Sequence, residues 1–283
     1  MNSITLNSGI KMPILGFGVF QIPDPADCEK AVIDAIETGY RSIDTAASYL
    51  NEAAVGSAIK KSGIDRKDLF ITTKLWVQDM GYEKTKSAFY KSLEKLQLDY
   101  LDLYLIHQPY GDIFVSWKAM QELMQAGNIR AIGVANFTED RIMDLCINSG
   151  FTPAVNQIET HPFHQQIENQ AFLQQNKVQI ESWGPFAEGK NNIFRNPILT
   201  SVAHKYNKSV AQVILRWLIQ RGIIVIPKTV HKRRMAENFN IFDFELSDKD
   251  MQEIATLDTK ESLFFDHRDP EKVRWLSERK LDL

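Results

Sequence analysis

The sequence is poor in cysteine and has no pattern typical of a disulfide-bonded or zinc-binding protein. Its 283 residues include two cysteines, Cys28 and Cys146, and neither belongs to a C-x-x-C pair. Two isolated thiols in amphipathic helical stretches are typical of a protein in a reducing compartment. The first residues, MNSITLNSGIKMP, show no basic segment followed by an apolar one. No secretory signal is therefore expected, and a cytoplasmic location is predicted.

The sequence also lacks blocks of like charge and long apolar runs. The net charge is −3 and the pI is about 6.1, which predicts neither nucleic acid nor an anionic membrane as a partner. No apolar run approaches the roughly 20 residues that a membrane-spanning helix needs. Because 44% of the residues are hydrophobic, the chain can bury a large core. One domain over residues 1–283 is expected.

Short apolar runs alternate with helical patterns along most of the chain. Several runs are apolar at nearly every position, as in parallel strands covered on both faces. Eight such strands favour an α/β fold of the closed (β/α)8 TIM-barrel type, although an open doubly wound sheet shows the same alternation. An N-terminal β-hairpin turning at Asn7, Ser8 and Gly9 would close the bottom of the barrel. The predicted strands are 14–17, 41–44, 69–75, 101–107, 129–135, 154–159, 178–183 and 223–227.

Polar or aromatic side chains stand where almost every predicted strand ends. In a barrel of this kind the carboxyl ends of the strands meet at one face, and the active sites lie there. We therefore expect a functional site at this face rather than scattered surface charge. The residues at these ends are Asp44, Lys74, His107, Asn136, Glu159, Trp183 and Lys228.

Four side chains near these ends suit the protonation of an alkoxide. Tyr49 has a phenol, whose pKa of roughly 10 makes it a poor acid at neutral pH unless a nearby ammonium lowers that pKa. Lys74 would supply the ammonium, and Asp44 would keep it charged. A neutral His107 could donate a hydrogen bond to a substrate oxygen. Taken singly, Tyr49 is more typical of a packed tyrosine and Asp44 of a helix cap or loop anchor. A single Lys74 is more typical of a solvated side chain, and a single His107 of an ordinary strand terminus. Their expected convergence on one barrel face favours catalysis.

The fingerprint of a Rossmann dinucleotide site is absent, because the segment GFGVFQ has Gln21 at its sixth position. A nicotinamide cofactor would need another site, and PKTVHKRRMAENF after the last strand offers one. If a helix begins near His231, two cations and a hydroxyl there suit a 2′-phosphate, and an acid and an amide suit an adenine edge. A solvated basic helix is the alternative. The side chains concerned are Lys228, Thr229, Arg234, Glu237 and Asn238.

Six segments, in order across nearly the whole chain, resemble the aldo-keto reductase family. They are GYRSIDTAASYLNEAAVGSAI, FITTKLW, DLYLIHQP, IRAIGVANF, VNQIETHPF and IPKTVHKRRMAENFNIF. The resemblance implies that Tyr49 is the general acid and that His107 orients the substrate carbonyl. It implies that Asp44 and Lys74 form the pair that tunes the phenol. The implied reaction is reduction of a small-molecule aldehyde or ketone to an alcohol, with NADPH favoured over NADH.

The resemblance also implies which residues hold the cofactor. Asn136 and Gln157 would contact the carboxamide, and Trp183 would stack on the nicotinamide. The stretch after Pro185 would cover the pyrophosphate. The implied cofactor-binding residues are Gly18, Phe20, Asp44, Asn136, Gln157, Trp183, Phe186, Lys228, Thr229, Arg234, Glu237 and Asn238.

Departures from the family pattern concern the pocket. Ala135 stands where many members have serine, and Gln108 stands where tryptophan is common. The loop before the helix expected at about Phe114 is short, and the chain ends soon after Trp275. We therefore expect a relatively open pocket for small aldehydes, dicarbonyls or keto-sugars, as in the bacterial diketogluconate and glyoxal reductases. The expected substrate-binding residues are Phe20, Trp76, His107 and Tyr110, with Phe265 as a further lining residue.

Two other functions are compatible with a barrel of this kind. A regulatory subunit that senses the cofactor would need Lys228 and Arg234 but not Tyr49. A glycoside hydrolase could use Asp44 and Glu159 as its carboxylate pair, but it would leave the lysine and the tyrosine unexplained.

No metal site is expected. The segment HPFH at 161–164 spaces two histidines as ligands on a helix would be, but a proline lies between them and no third ligand is apparent. A monomer is expected, because no apolar stripe stands out beyond those that pack the barrel.

Overall fold

A computed structural model describes residues 2–283, which form ten β-strands and eleven α-helices. The strands are β1 (Ser3–Thr5), β2 (Lys11–Pro13), β3 (Phe17–Gly18), β4 (Ser42–Asp44), β5 (Phe70–Leu75), β6 (Leu101–Ile106), β7 (Ile129–Ala135), β8 (Val155–Glu159), β9 (Gln179–Trp183) and β10 (Ile224–Val225). The helices are α1 (Pro25–Thr38), α2 (Glu52–Ser62), α3 (Tyr82–Leu96), α4 (Ile113–Gln125), α5 (Glu139–Ser149), α6 (Ile167–Gln175), α7 (Pro197–Tyr206), α8 (Val210–Gln220), α9 (Lys232–Phe239), α10 (Asp248–Ala255) and α11 (Pro270–Glu278).

Strands β3 to β10 form one parallel sheet in which each strand pairs with the next along the chain. The sheet closes on itself because Leu15, just before β3, bridges Val225 in β10. The backbone N–H of Gly16 donates to the Val225 carbonyl at 2.8 Å, and that of Gly18 donates to the Pro227 carbonyl at 3.2 Å. The predicted eight-stranded barrel is confirmed, and the open sheet was the wrong alternative.

Strands β1 and β2 form the predicted antiparallel hairpin, with Ile4 opposite Met12. The side-chain amide of Asn7, in the turn, donates to the carbonyl of Pro153 at 3.0 Å. Pro153 lies two residues before the first residue of β8, at the amino ends of the barrel strands. The hairpin therefore covers the face opposite the expected site, as predicted.

The long central strands β5 and β6 are buried at every position, as their continuous apolar runs predict for strands covered on both faces. The predicted bounds of β7 agree with the structure. The first and last barrel strands are shorter than predicted: 14–17 became Phe17–Gly18 and 223–227 became Ile224–Val225. The lost positions lie where the barrel closes, and only a single bridge and a few backbone hydrogen bonds join the chain there.

The helices begin and end at recognisable signals. Asp24 caps α1 by accepting hydrogen bonds from two backbone N–H groups, each at 2.9 Å, and Pro25 follows at the first helical position. Gly39 ends α1 with a φ of +120°, and a Cβ there would lie 2.8 Å from the Phe239 ring. Glycine is therefore required for both backbone conformation and space. Within residues 2–283, no helix combines the length and apolar character of a membrane span.

The C-terminal segment folds back over the carboxyl ends of the strands. Gln78, in the loop after β5, exchanges two hydrogen bonds with the backbone of Leu281, at 2.8 and 3.0 Å. Leu276 of α11 is buried in a small cluster with Trp76 and Tyr110. The last two dozen residues thus become part of the wall around the expected site.

Candidate active site

Lys74 lies fully buried below the carboxyl face of the barrel and contacts three oxygen atoms. Its Nζ is 2.5 Å from Asp44 Oδ1, 3.0 Å from the Thr45 carbonyl oxygen and 3.1 Å from Tyr49 Oη. Asp44 ends β4, and Tyr49 lies in the short 3-10 turn Ala47–Tyr49 that follows. The acid at the strand end and the phenol just beyond it therefore both contact one buried ammonium, that of Lys74.

The electrostatics of this group are dominated by burial and by the neighbouring charges. Burial alone would lower the pKa of the Lys74 ammonium, but the Asp44 carboxylate and then Tyr49 outweigh it, and the pKa is raised. Burial raises the pKa of the Tyr49 phenol, and the attraction of Lys74, which lowers it, offsets this only in part. The expected net lowering of the phenol pKa is therefore not found. At neutral pH Lys74 is charged and Tyr49 holds its proton.

His107 follows β6 directly, and its ring lies edge-on to those of Tyr49 and Trp76, with centroids 5.7 and 5.3 Å away. Burial, followed by repulsion from Lys74 and His267, holds the pKa of His107 well below its usual value. The imidazole is therefore neutral. Its Nδ1 lies 3.2 Å from the Ser48 hydroxyl, and when that hydroxyl donates, Nε2 carries the proton. Sequence reasoning missed Ser48, whose only signal is its place beside Tyr49.

Gln157 joins two carboxylates beneath the site. Its Nε2 donates to Asp44 Oδ2 at 2.9 Å and to Glu181 Oε2 at 2.8 Å. Glu181 is fully buried in β9, and sequence reasoning missed it because its partner lies on a neighbouring strand. Trp183, two residues further along β9, donates from Nε1 to Asn136 Oδ1 at 2.8 Å. These side chains form the inner wall beside the lysine.

A cavity of about 580 Å³ opens above these side chains. Its wall includes the residues expected to act in catalysis, except the fully buried Lys74. It also includes most of the residues expected near a nicotinamide. Gly18 is part of this wall. A Cβ at Gly18 would lie 2.9 Å from the Ile226 carbonyl oxygen, so a larger residue would not fit there without a shift of the backbone. The expected site residues on its wall are Gly18, Phe20, Asp44, Tyr49, Trp76, His107, Asn136, Gln157, Trp183, Phe186 and Lys228, together with Phe265.

Comparison with known proteins agrees with this geometry. The model of the aldo/keto reductase family matches residues 14–259. The chain belongs to the aldo/keto reductase family. It is 48% identical to the glyoxal reductase of Bacillus subtilis over 92% of this chain and 94% of that protein. It is 45% identical to the methylglyoxal reductase DkgA of Escherichia coli over 90% and 93% of the two chains. A Bombyx mori aldo-keto reductase solved in complex with NADP superimposes with a TM-score of 0.88, at 37% identity over 92% and 94%.

Four residues expected to bind the cofactor of an aldo/keto reductase lie beyond the cavity wall. Thr229 is buried, and its Oγ1 accepts a hydrogen bond from the backbone N–H of His231, at the predicted start of α9. Arg234 is exposed, Glu237 is half-buried and Asn238 is buried on α9. They follow Lys228, which lies on the cavity wall, along the chain.

The basic run on α9 is divided between two tasks. Lys232 pairs with Glu37 at 2.5 Å and with Asp34 at 3.3 Å, both on α1. Arg233 and Arg234 make no ion pair with any other described residue. Lys232 therefore fastens α9 to α1, and the two arginines remain for a ligand or for solvent.

The C-terminal segment forms one side of the cavity. Phe264 packs edge-on against Trp183 with centroids 5.0 Å apart, and Lys190 Nζ lies 3.7 Å from the Phe264 centroid. Trp275, Leu276 and Arg279 also line the cavity, although sequence reasoning named none of the three as site residues. Sequence reasoning considered the length of the tail and not where the tail packs.

Tyr110 is not on the cavity wall. It packs with Trp76 and Leu276, and its hydroxyl donates to the His267 carbonyl at 2.6 Å. Tyr110 therefore does not line the cavity where a substrate is expected. It supports the segment that carries His267, which does line the cavity.

Glu159, the proposed second carboxylate of a glycoside hydrolase, has a different role. It accepts hydrogen bonds from Ser262 at 2.5 Å and from the Leu263 backbone at 2.9 Å, and it pairs with His161 at 2.9 Å. Glu159 thus anchors the C-terminal segment to the barrel. In the described part of the chain, no group of three or more acidic, histidine or cysteine side chains has the arrangement of a metal site.

Proposed function

We propose that the chain is an NADPH-dependent reductase that converts small aldehydes, dicarbonyls or keto-sugars to alcohols, with Tyr49 as the general acid. The observation that carries this proposal is the fully buried Lys74, held 2.5 Å from Asp44 and 3.1 Å from the Tyr49 hydroxyl at the base of a cavity. A structural ion pair has no need of a phenol at that distance. A regulatory subunit that only senses the cofactor would need neither Lys74, Asp44 nor Tyr49.

The cavity fits a nicotinamide nucleotide. Trp183 offers a flat aromatic face, and Gln157 and Asn136 offer amide groups beside it. Gly18 and Lys228 also line the cavity, and Lys228 offers it a cation. In this proposal Phe20 and Phe186 cover the cofactor, and Thr229, Arg234, Glu237 and Asn238 hold its adenosine 2′-phosphate end. The printed names of the relatives, glyoxal and methylglyoxal reductase, support small carbonyl substrates.

The residues around the cavity divide the work of protonation. NADPH, when bound, supplies a hydride to the carbonyl carbon. His107, which is neutral and lines the cavity, donates a hydrogen bond to the substrate oxygen and fixes its position. Tyr49 then gives its Oη proton to that oxygen, and the Lys74 ammonium stabilises the phenolate that remains. Asp44 keeps Lys74 charged while it is out of water.

The substrate would meet an aromatic wall. Trp76 is nearly buried behind His107, and Phe20 is half-exposed at the mouth, with its ring 4.9 Å from that of Tyr49. Phe265 and Trp275 face them from the C-terminal segment. Aromatic walls of this kind are typical of pockets that bind small organic molecules.

The proposal is tested by measuring NADPH consumption by the native chain with a panel of small aldehydes, dicarbonyls and keto-sugars. Turnover with several carbonyl compounds is expected, and turnover with NADH should be weaker. If the chain binds NADPH but reduces no member of the panel, it senses the cofactor without turnover. If it does not bind NADPH, the assignment of Lys228 and α9 is wrong.

We also propose that residues 1–283 act as one domain, as a cytoplasmic monomer. Both cysteines are free thiols, which suits a reducing compartment. Light scattering after size exclusion tests the monomer: a mass near 32.5 kDa is expected, and twice that mass would contradict it.

A further inference from the structure

Glu181 is a buried carboxyl group behind Gln157, a residue of the cavity wall. It is fully buried in β9, in register with Gln157 on β8 and Ile224 on β10. One of its oxygens accepts the hydrogen bond from Gln157, and the other, Oε1, has no hydrogen-bond partner among the described residues. A buried polar atom without a partner costs free energy, so its presence in a site calls for an explanation.

The contact with Glu181 fixes the orientation of the Gln157 amide. The Nε2 group has two hydrogens, and it donates one to Asp44 Oδ2 and the other to Glu181 Oε2. Both partners present carboxyl oxygens, so the NH₂ group is held toward the floor. Because the oxygen and the NH₂ of an amide point in different directions, the Gln157 oxygen is left for the cavity, which Gln157 lines.

When it ionises, Glu181 adds a charge that the Asp44–Lys74 pair does not balance. Burial, and then repulsion by Asp44, raise the pKa of Glu181 to about 8, while Gln157 and Lys74 lower it in part. At neutral pH the carboxyl group is therefore mostly protonated. Above pH 8 it ionises and places an extra negative charge beneath the cavity.

We infer that Glu181 is a positioning residue of the cofactor site: through Gln157 it fixes the amide that faces the nicotinamide, and its ionisation shifts the preference of the cavity toward the oxidised cofactor. The inference rests on the proposed function. The oxidised nicotinamide ring carries a positive charge and the reduced ring carries none. A carboxylate below the ring therefore attracts the former and leaves the latter unaffected.

Other groups that face this floor do not titrate in the same range. The pKa of His107 lies well below its usual value, because of burial first and then Lys74. The pKa values of Lys74 and Tyr49 are both raised, and the register partner on β10, Ile224, is apolar. We therefore assign the change in charge at the floor between pH 6.5 and 9.5 to Glu181, which shares Gln157 with Asp44, the partner of Lys74.

The test measures the dissociation constants of NADP⁺ and NADPH by titration calorimetry between pH 6.5 and 9.5. Both cofactors carry the same phosphates, so phosphate ionisation cancels in the ratio of the two constants. For the native chain, the ratio of the NADP⁺ constant to the NADPH constant should fall about five-fold across this range. A ratio independent of pH would overturn the role of the charge.

Two variants separate charge from position. Glu181→Gln keeps an oxygen that accepts from Gln157 but cannot ionise, so it should bind both cofactors within about two-fold of the native chain at pH 6.5 with a ratio independent of pH. Glu181→Met keeps the size but releases Gln157, so both constants should rise about ten-fold. A Glu181→Gln ratio that still falls, or a Glu181→Met variant that binds like the native chain, would contradict the inference.

The matched control is Glu52→Gln. Glu52 is also a buried glutamate, on α2 outside the barrel, and it accepts from Thr73 Oγ1 at 2.6 Å. Its substitution should leave the ratio and its pH dependence unchanged. If the native chain binds neither cofactor, the proposed function fails; if it binds both and the Glu181 variants behave like the control, only this inference fails.

Discussion

Replacing Lys74 by methionine removes the ammonium at the centre of the site and fills nearly the same volume. Lys74 is fully buried and contacts Asp44, Thr45 and Tyr49, so no other cation can take its place without entering the barrel. The substitution therefore isolates the charge. It should lower both the rate of reduction and the stability of the fold. The distances and the burial of Lys74 allow both losses to be estimated.

The loss of rate follows from the distance between the two atoms. With Nζ 3.1 Å from Tyr49 Oη and an effective dielectric constant of about 20, the attraction between an ammonium and a phenolate is about 5 kcal/mol. If about half of the negative charge has developed on the phenol oxygen in the transition state, about 2.7 kcal/mol is lost, and kcat falls about 100-fold. Stability should fall by about 3–5 kcal/mol, because the Asp44 carboxylate stays buried without its cation.

The assay compares kcat for carbonyl reduction, the dissociation constant of NADPH and the urea midpoint of Lys74→Met with those of the native chain. The control is Lys86→Met, since Lys86 also contacts a tyrosine, Tyr82 at 2.8 Å, and a carboxylate, Glu122 at 3.0 Å, but at the surface. The control should keep its activity and nearly its stability. A kcat of Lys74→Met within about ten-fold of the native value would refute the reasoning.

Three further predictions concern stability and cofactor choice. Burial lowers the pKa of His267 from 6.5 to about 4, so between these pH values the unfolded chain binds a proton that the folded chain does not bind. The free energy of unfolding, measured by urea titration at each pH, should therefore fall as the pH drops from 6.5 to 4. It should fall less in His267→Gln. Gly39→Ala should cost about 2–3 kcal/mol by thermal unfolding, because of the positive φ and the Phe239 ring, whereas Gly63→Ala, with open space around it, should cost about 1 kcal/mol; equal costs would contradict this. Arg234→Ala should weaken NADPH about ten-fold and leave NADH unchanged in fluorescence titrations, and an equal loss for both would remove Arg234 from the phosphate site.

The barrel was predictable because each strand is specified by its own residues. The apolar run at 129–135 and its neighbours set strand type and count, and turn residues set the ends. Asp44 and Lys74 could be placed together because parallel strands bring their carboxyl ends to one face. The short strands at the point of closure were less predictable, since their hydrogen bonds depend on a partner more than 200 residues away, as with Leu15 and Val225.

Contacts between distant segments were not predictable. Gln78 meets Leu281 across 203 residues, and no periodicity in either segment indicates it. The same holds for Glu181, whose contact with Gln157 depends on the register of two strands. The net pKa of Tyr49 was also missed, because the extent of burial is a property of the folded site and not of the residue types present.

Tyr49→Phe removes one oxygen, keeps the ring and so tests whether Tyr49 donates the proton. Steady-state reduction of a small dicarbonyl and NADPH binding are measured for both chains. We predict a kcat at least about 100-fold lower with NADPH affinity unchanged, in line with the usual contribution of general acid catalysis. A variant that reduces the dicarbonyl at close to the native rate would contradict the account.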